Sequence, residues 1–313
     1  MPFELTILGS SSATPTLNRH PTAQVLNIRE RFFLIDCGEG TQTQLTRFKI
    51  RHNRISHIFI SHLHGDHYLG LMGLLSTMHL QGRTNEIHLF GQPELMDIIE
   101  LQLRLSQTVL RFNLIFHPVK NYTGAVIHED EDLVVRTIVL KHRIPCTGFL
   151  FREKPKPRKL LINKMRQYNI PFRLFAGIKN GKDYIDDFGN VVPNHELTIS
   201  AGLPRSYAFC SDTIYDEQMA DEVYGVDLLY HEATFMHDMA DRAKATYHST
   251  CIEAATVARD ANVGKLLIGH FSARYKDLTP LLTEARSVFP QTELAAEGRK
   301  FSVLERKEPV GKK

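Results

Sequence analysis

The chain has 313 residues, of which 42% are hydrophobic and 23% charged, and its formal net charge is +3. This near-average composition excludes general disorder, and four cysteines without a CxxC pair argue against a disulfide framework or a cysteine zinc site. The N-terminus lacks the pattern of a signal peptide and no apolar run reaches 18 residues, so the sequence predicts a cytoplasmic protein without a membrane span.

Short apolar runs rich in β-branched and aromatic residues predict strands along the whole chain. They cover residues 3–9, 23–28, 31–36, 55–61, 86–91, 133–140, 206–211, 226–231, 265–270 and 301–306. Between them, apolar periodicity predicts helices at 68–82, 93–105, 249–263 and 278–289. In the third helix Ser249 or Thr250 is a candidate N-cap, with Glu253 placed for a capping box. Alternating strands and helices predict an α/β fold with mixed sheets and outer helices.

One segment, at about 150–195, breaks the composition. Residues 152–182 hold ten Lys or Arg and one acid, a local charge of +9, whereas the rest of the chain is net −6. Such an excess attracts polyanions, although a solvated basic loop has the same composition. The segment predicts a short helix followed by a hairpin around Gly181 and Gly189. We interpret it as an insertion projecting from a single domain that spans 1–313.

Metal-ligand chemistry is concentrated in the sequence SHLHGDH at 61–67. His62 and His64 are two residues apart on extended backbone and so point the same way. Asp66 and His67 follow, before a predicted helix, and Gly65 allows the turn between them. Imidazoles and carboxylates together suit zinc or manganese. The alternative is a His-rich surface loop.

Three further apolar runs end in ligand-type residues, at His142, Asp212 and His270. Because sites assemble at the carboxyl ends of strands in α/β sheets, these side chains are expected to join the 62–67 cluster. Five histidines and two aspartates are too many for one tetrahedral zinc ion. They suffice for two metals that share a carboxylate, an arrangement suited to displacement at phosphorus.

Other polar residues are candidates for supporting roles. Asp36 ends a predicted strand and could orient a ligand histidine, or it could cap the next helix. His231-Glu232 ends another predicted strand, and His248 lies at a helix start. A histidine that holds no metal but lies close to the site is a candidate general acid. Each of these could equally be a helix cap or a packed polar residue.

Taken together, these motifs resemble the metallo-β-lactamase superfamily, and within it the ribonuclease Z family of tRNA 3′-processing endonucleases. The signature His62-Leu63-His64-Gly65-Asp66-His67 is followed in order by the three downstream ligands. The supporting motifs are DCGEGTQ (36–42), SHLHGDHYLGLMGLL (61–75), HRIPCTGF (142–149), CSDT (210–213), HEAT (231–234), HST (248–250) and HFSARY (270–275). The resemblance covers nearly the whole chain, from LGSSSATP (8–15) to about residue 305.

The resemblance implies a fold, a metal centre and an RNA-binding arm. The fold would be an αββα sandwich of two mixed β-sheets with outer helices. Two Zn²⁺ per subunit, or Mn²⁺ or another divalent metal, would be held by one set of three histidines and one mixed set, with Asp212 bridging. The first set is His62, His64 and His142, and the second is Asp66, His67 and His270. The family's arm falls where the basic segment lies, and family members are homodimers.

The resemblance also implies the activity, a zinc-dependent endoribonuclease that removes the 3′ trailer from precursor tRNA and leaves a 3′-OH. A metal-activated water would attack the phosphodiester, with Asp66 as proton acceptor and His248, oriented by Glu232, as proton donor. Arg274, otherwise a surface arginine, would hold a phosphate oxygen. The arm would bind tRNA through Lys154, Lys156, Arg158, Lys159, Arg173, Lys179 and Lys182.

Two other classes of function remain open from the residues alone. One is a hydrolase of the same fold for a small phosphodiester, sulfate ester or thioester, which would not need the basic segment. The other is a non-catalytic RNA-binding relative, which would not need the complete ligand set.

Overall fold

The computed structural model describes residues 1–119 and 122–304. The last two residues of the predicted strand 301–306 therefore lie outside the described residues. The strands are β1 (Phe3–Gly9), β2 (Ala23–Ile28), β3 (Arg31–Cys37), β4 (Ile55–Phe59), β5 (Ile87–Gly91), β6 (Leu114–Pro118), β7 (Val126–Glu129), β8 (Leu133–Leu140), β9 (Cys146–Glu153), β10 (Lys159–Leu160), β11 (Tyr184–Ile185), β12 (Val191–Val192), β13 (Thr198–Ile199), β14 (Ser206–Cys210), β15 (Leu228–Glu232), β16 (Lys265–Gly269), β17 (Thr292–Leu294) and β18 (Lys300–Ser302).

The helices alternate with these strands. They are α1 (Thr41–Arg47), α2 (Gly65–Tyr68), α3 (Leu71–Leu80), α4 (Glu94–Leu105), α5 (Ile162–Gln167), α6 (Phe175–Lys179), α7 (Asn194–Leu197), α8 (Met219–Glu222), α9 (Ala240–Thr246), α10 (Cys251–Asp260) and α11 (Thr279–Val288). Among the described residues, no helix combines the length and apolar character needed to cross a membrane.

The described chain divides into two compact units, residues 1–152 with 205–304 and residues 153–204. The first unit holds two seven-stranded mixed sheets, in the orders β18-β1-β2-β3-β4-β5-β6 and β17-β16-β15-β14-β9-β8-β7. Strands β3, β4, β5 and β6 run parallel to one another, as do β14, β15, β16 and β17. In contrast, β3 is antiparallel to β2, and β14 is antiparallel to β9. The prediction of two mixed sheets with outer helices is confirmed.

Three apolar layers hold the first unit together. The middle layer joins the two sheets, with rings such as Phe33 and Phe59 facing Phe149 and Phe209. Leucines and isoleucines of α3 and α4 pack on the outer face of the first sheet. Alanine-rich α10 and α11 pack on the outer face of the second. Burial of these faces places both rows of strand ends at fixed positions, because a close-packed interior tolerates little displacement.

The helix predicted over 68–82 is two helices, α2 and α3. The interruption occurs at Gly70, whose N–H donates to the carbonyl of Cys37 at 2.9 Å. A Cβ atom at this position would lie 2.1 Å from the carbonyl oxygen of Gly38. Only glycine permits this approach, and the approach fixes the 61–67 loop against the end of β3.

We refer to residues 153–204, the second unit, as the arm. It carries nine Lys or Arg and five Asp or Glu, a net charge of +4. Its own small core contains Met165, Ile170, Ile178 and Leu197. The strands β11 and β12 form a hairpin with Gly189 in its turn. That the whole chain is one domain with an inserted arm stays a prediction.

Candidate metal centre

The predicted ligands follow the carboxyl ends of four strands. The 61–67 loop follows β4, and His142, Asp212 and His270 follow β8, β14 and β16. Because β14, β15 and β16 are parallel neighbours, their carboxyl ends meet at the same edge of the sheet. The structure brings all seven predicted ligands together at this edge.

The first group of donors gathers around one oxygen of Asp212. Nδ1 of His64 lies 3.1 Å from Nε2 of both His62 and His142. Oδ2 of Asp212 lies 3.7 Å from Nε2 of His62 and 3.8 Å from Nε2 of His142. The four atoms all lie within 4.8 Å of one another, so three imidazoles and one carboxylate face a common point.

The second group gathers around the other oxygen of the same carboxylate. Oδ1 of Asp212 lies 3.2 Å from Nε2 of His270 and 3.4 Å from Nε2 of His67. Oδ2 of Asp66 lies 3.3 Å from Nε2 of His270 and 3.4 Å from Nε2 of His67. Asp212 therefore turns one oxygen toward each group.

The spacing and chemistry of these donors fit divalent transition metals. Donors that share a tetrahedral zinc ion at about 2.0–2.1 Å lie about 3.3 Å apart, and the separations given above span 3.1–3.8 Å. Nε2 of His67 is fully buried and makes no hydrogen bond within the described chain. An imidazole held in this way would offer Nε2 to an ion that displaces its proton, and the donor set suits zinc or manganese.

The ionisation states of the donor groups also favour the binding of a cation. Burial opposes ionisation of Asp212, but the neighbouring histidines, His270 first, hold its pKa well below the usual range. Burial lowers the pKa of His62 and His142, which keeps their nitrogens available as ligands. Burial would also lower the pKa of His67, but three carboxylates, Asp66 first, raise it well above its usual value. The centre thus has an excess of negative charge that a bound cation would offset.

Outer hydrogen bonds orient the imidazoles of the predicted ligands. Nδ1 of His67 lies 2.7 Å from Oδ2 of Asp36, and Nδ1 of His142 lies 2.9 Å from the carbonyl oxygen of Tyr247. With Nδ1 protonated and donating, each ring presents Nε2 to the centre. Asp36 also accepts from the backbone N–H of Ser61 at 2.7 Å. The residue that begins α1 as its N-cap is Gly40, so the interpretation of Asp36 as a helix cap is wrong.

His248 and Glu232 form an ion pair beside the centre. Nδ1 of His248 lies 2.8 Å from Oε1 of the fully buried Glu232 and 4.0 Å from Oδ2 of Asp212. Burial alone would lower the pKa of His248, but Glu232 raises it to about 9. The N-cap of α10 is Thr250, which completes the predicted capping box with Glu253. His248 is therefore not the cap of this helix, and its Nε2 remains for other partners.

Thr234 is a contributor that the sequence analysis missed. Its hydroxyl lies 2.6 Å from Oε2 of Glu232, a carboxylate that can only accept, so the single hydroxyl hydrogen is donated there. The hydroxyl oxygen lies 3.0 Å from Nδ1 of His270 and can accept a hydrogen bond from the N–H at that position. This contact fixes the tautomer in which Nε2 of His270 faces Asp66 and Asp212.

Substitution of Thr234 by valine should therefore weaken metal binding at the second group while leaving the first group unchanged. Valine keeps the shape but cannot hold the His270 tautomer, and outer partners of metal ligands are worth about 10–100-fold in affinity. Titration of the metal-free protein with zinc or manganese measures the two affinities. The matched variant Thr234→Ser keeps the hydroxyl and should bind as the wild type does; equal loss in both variants would contradict the role of the hydroxyl.

A cavity of about 460 Å³ opens over the donors. Its walls include His64, Asp66, His142, His248 and His270, together with residues that the sequence analysis did not select. These are Ser12, Ala13, Pro15, Pro21, Glu39, Leu69, Arg143 and Thr246. The predicted residues Gly65 and Asp212 also line the cavity. The backbone N–H of Ala13 donates to Oδ2 of Asp66 at 2.7 Å. Arg143 directly follows a ligand in sequence, which is the one signal that could have identified it.

The remaining predicted residues lie elsewhere. Arg274 is exposed and is not among the residues lining this cavity; its guanidinium lies 5.1 Å from the Phe235 ring centroid and contacts Met239. His231 is buried and bonds through Nδ1 to the carbonyl of Glu232, as a packed polar residue. Of the predicted arm cations, Lys159, Arg173, Lys179 and Lys182 are exposed, and Lys154, Lys156 and Arg158 are half-buried. Their contact with RNA stays a prediction.

Comparison with known proteins identifies close relatives over nearly the whole chain. A protein named ribonuclease Z from Cytophaga hutchinsonii is 52% identical over 307 residues, covering 98% of each chain. One from Bacteroides fragilis is 48% identical over 295 residues, covering 94% of this chain and 97% of the relative. A family model described as anti-Pycsar protein Apyc1 matches residues 3–156.

Comparison with solved structures supports the same family and shows the fold. Human tRNase Z, short form, is 28% identical with a TM-score of 0.71, covering 96% of this chain and 99% of that one. The metallo-β-lactamase fold protein YhfI from Bacillus subtilis, at 16% identity and a TM-score of 0.67, shares the fold over 96% of this chain and 100% of its own. Because relatives named ribonuclease Z are identical to this chain at about half of the aligned positions over nearly their full length, the chain belongs to the ribonuclease Z family and has the metallo-β-lactamase fold.

Proposed function

We infer that this protein is a metal-dependent endoribonuclease that removes the 3′ trailer from precursor tRNA and leaves a 3′-OH on the tRNA. Its membership of the ribonuclease Z family supports this activity. The observation that carries it in the structure is the pair of donor groups that share the two oxygens of Asp212. Paired donor groups of this kind suit displacement at a phosphodiester.

The protein binds divalent metal, and we propose two Zn²⁺ per subunit, with Mn²⁺ as the alternative. One ion would be held by His62, His64 and His142, and the other by Asp66, His67 and His270, with Asp212 contributing to both. Bound metals of this kind lower the pKa of water and stabilise the charge that develops on phosphate oxygens.

The chain's own residues handle the protons. Asp66, held by the N–H of Ala13, has a carboxylate at the cavity wall that can position the attacking water and accept its proton. His248 is protonated at neutral pH because Glu232 raises its pKa to about 9. Since Nδ1 is committed to Glu232, Nε2 is the atom that would protonate the departing ribose 3′-oxygen.

Replacing His248 by alanine should lower kcat for precursor tRNA by about 10²–10⁴-fold, the usual contribution of a general acid. A small phosphodiester with a nitrophenol leaving group needs no such proton, so its hydrolysis should fall much less. Steady-state kinetics on both substrates, with metal content measured by elemental analysis, test the assignment. Equal losses on both substrates with full metal content would contradict it.

The arm is the proposed tRNA-binding element. Phosphate contacts from lysine and arginine position RNA by charge and shape more than by sequence. The cations proposed to make them are Lys154, Lys156, Arg158, Lys159, Arg173, Lys179 and Lys182. Arg274 is proposed to hold a phosphate oxygen of the substrate.

We also propose that the protein is a homodimer and works in the cytoplasm. Exposed leucines on two neighbouring helices, Leu80, Leu101 and Leu105, support a self-association surface. The four cysteines are all free and buried, which is typical of a reducing compartment. Light scattering on the purified protein measures the oligomeric state.

Incubation of the purified protein with a 3′-extended precursor tRNA tests the function as a whole. We expect one endonucleolytic product, a tRNA with a 3′-OH, and loss of cleavage when a chelator removes the metal. Restoration by zinc or manganese completes the test. Cleavage that persists after the metal has been removed, as verified by elemental analysis, would overturn the proposal.

A further inference from the structure

A second cavity, of about 310 Å³, lies apart from the metal ligands. Two arginines, Arg19 and Arg47, line it together with Asn18, Phe48 and Glu297. None of the predicted ligands or arm residues is among its lining residues. A concave site with two guanidinium groups has the chemistry that binds phosphate, because each planar group can donate two parallel hydrogen bonds.

Neither arginine is committed to a carboxylate. Nη2 of Arg19 donates to the carbonyl oxygen of Ser272 at 3.3 Å, whereas its buried Nε has no hydrogen-bond partner within the described chain. The guanidinium of Arg47 lies 5.7 Å from the ring centroid of Phe48. No ion pair joins either arginine to another of the described residues.

Glu297, the one acidic residue that lines the cavity, already accepts hydrogen bonds from other residues. Both oxygens of Glu297 contact His20, at 2.5 Å from its backbone N–H and 3.0 Å from Nδ1. Oε2 of Glu297 also accepts from Nε2 of Gln44 at 2.7 Å. The carboxylate thus reduces the local positive charge without pairing with the guanidinium groups, and the two arginines leave a net positive site.

The cavity is linked to the metal centre by a shared loop. Residues 10–21 contribute Ser12 and Ala13 to the metal-centre cavity and Asn18 and Arg19 to the second one. The carbonyl that Arg19 contacts belongs to Ser272, two residues after the predicted ligand His270. Both cavities therefore border the same loop.

We propose that Arg19 and Arg47 form a phosphate-binding subsite that holds a second phosphate of the RNA strand, near the one that is cleaved. This inference rests on the proposed function and deepens it, since it assigns a residue pair that positions the substrate outside the arm. The phosphate belongs either to the trailer or to the acceptor strand of the tRNA, and both have the same chemistry.

The test uses the full-length protein with Arg19→Gln, Arg47→Gln and the double variant. We expect KM for precursor tRNA to rise by about 10-fold or more for each lost charge-assisted contact, with little change in kcat. The slope of log(kcat/KM) against log[salt] should become shallower by about one for each arginine. Hydrolysis of a small chromogenic phosphodiester, which has no second phosphate, should not change.

Arg259→Gln is the matched control, because it removes the same charge from an exposed position on α10. Substrates with trailers of increasing length distinguish the two sources of the phosphate. If the trailer supplies it, the defect disappears with the shortest trailers; if the acceptor strand supplies it, the defect is the same at every length.

Each outcome separates this inference from the proposed function. If the wild type does not cleave precursor tRNA, the proposed function fails. If the wild type cleaves and the double variant has the KM and salt slope of Arg259→Gln, the subsite does not exist. A parallel loss on the small phosphodiester would show that the substitutions disturb the metal centre, which would also overturn the inference.

Discussion

Replacement of Asp212 by alanine should remove metal from both donor groups and abolish RNA cleavage. Its two oxygens face different groups, at 3.2 Å from His270 and 3.7 Å from His62, so no other single substitution is expected to affect both. The loss of activity should exceed the ~10–100-fold typical of outer partners of metal ligands, because a shared donor is removed. Elemental analysis and cleavage assays on the same preparation measure the two losses together.

The matched control is Asp241→Ala, the same change at an exposed carboxylate on α9. It should retain metal and activity. Asp212→Asn provides a second test, because it keeps the side-chain shape and removes the negative charge. If Asp212→Ala retained two metals per subunit and wild-type turnover, the proposal that this carboxylate serves both groups would be wrong.

The convergence of the predicted ligands could be predicted from sequence because each follows the end of an apolar strand. A strand end is visible in one sequence as an apolar run followed by a polar residue, and the sheet edge then brings separate strand ends together. Thus His142 and His270, 128 positions apart in the numbering, were expected to meet, and both lie at the centre. The local sequence pattern predicts the site because residues that follow strand ends meet at the same edge of the sheet.

Contacts that depend on tertiary packing could not be predicted in this way. Thr234 and Ala13 act through a hydroxyl and a backbone N–H that meet the site only once the sheets have packed. Strand β9 was missed because Gly148 interrupts its apolar run. A Cβ atom there would lie 2.6 Å from the carbonyl of Phe209 in β14, so glycine is required by the neighbouring strand rather than by the local pattern. The subsite of Arg19 and Arg47 likewise combines segments that no periodicity connects.

Deletion of the arm should abolish efficient cleavage of precursor tRNA and leave hydrolysis of a small phosphodiester intact. The structure permits a clean deletion, because Arg152 of β9 and Ser206 of β14 are register partners. Paired residues in an antiparallel ladder lie about 5 Å apart, so a short glycine-serine linker can join the strands. Losing several phosphate contacts should reduce kcat/KM for the tRNA on the order of 10³-fold, as measured by steady-state kinetics at fixed salt.

A second variant separates charge from architecture. Lys159, Arg173, Lys179 and Lys182 are exposed, and none belongs to the arm's apolar core. Their combined replacement by glutamine should leave the arm folded and still reproduce much of the loss, with a weaker dependence on salt because fewer counterions are released. If deletion impaired both substrates equally, the arm would support the metal centre structurally. If deletion impaired tRNA cleavage while the glutamine variant did not, shape or apolar contacts rather than these four charges would bind the RNA.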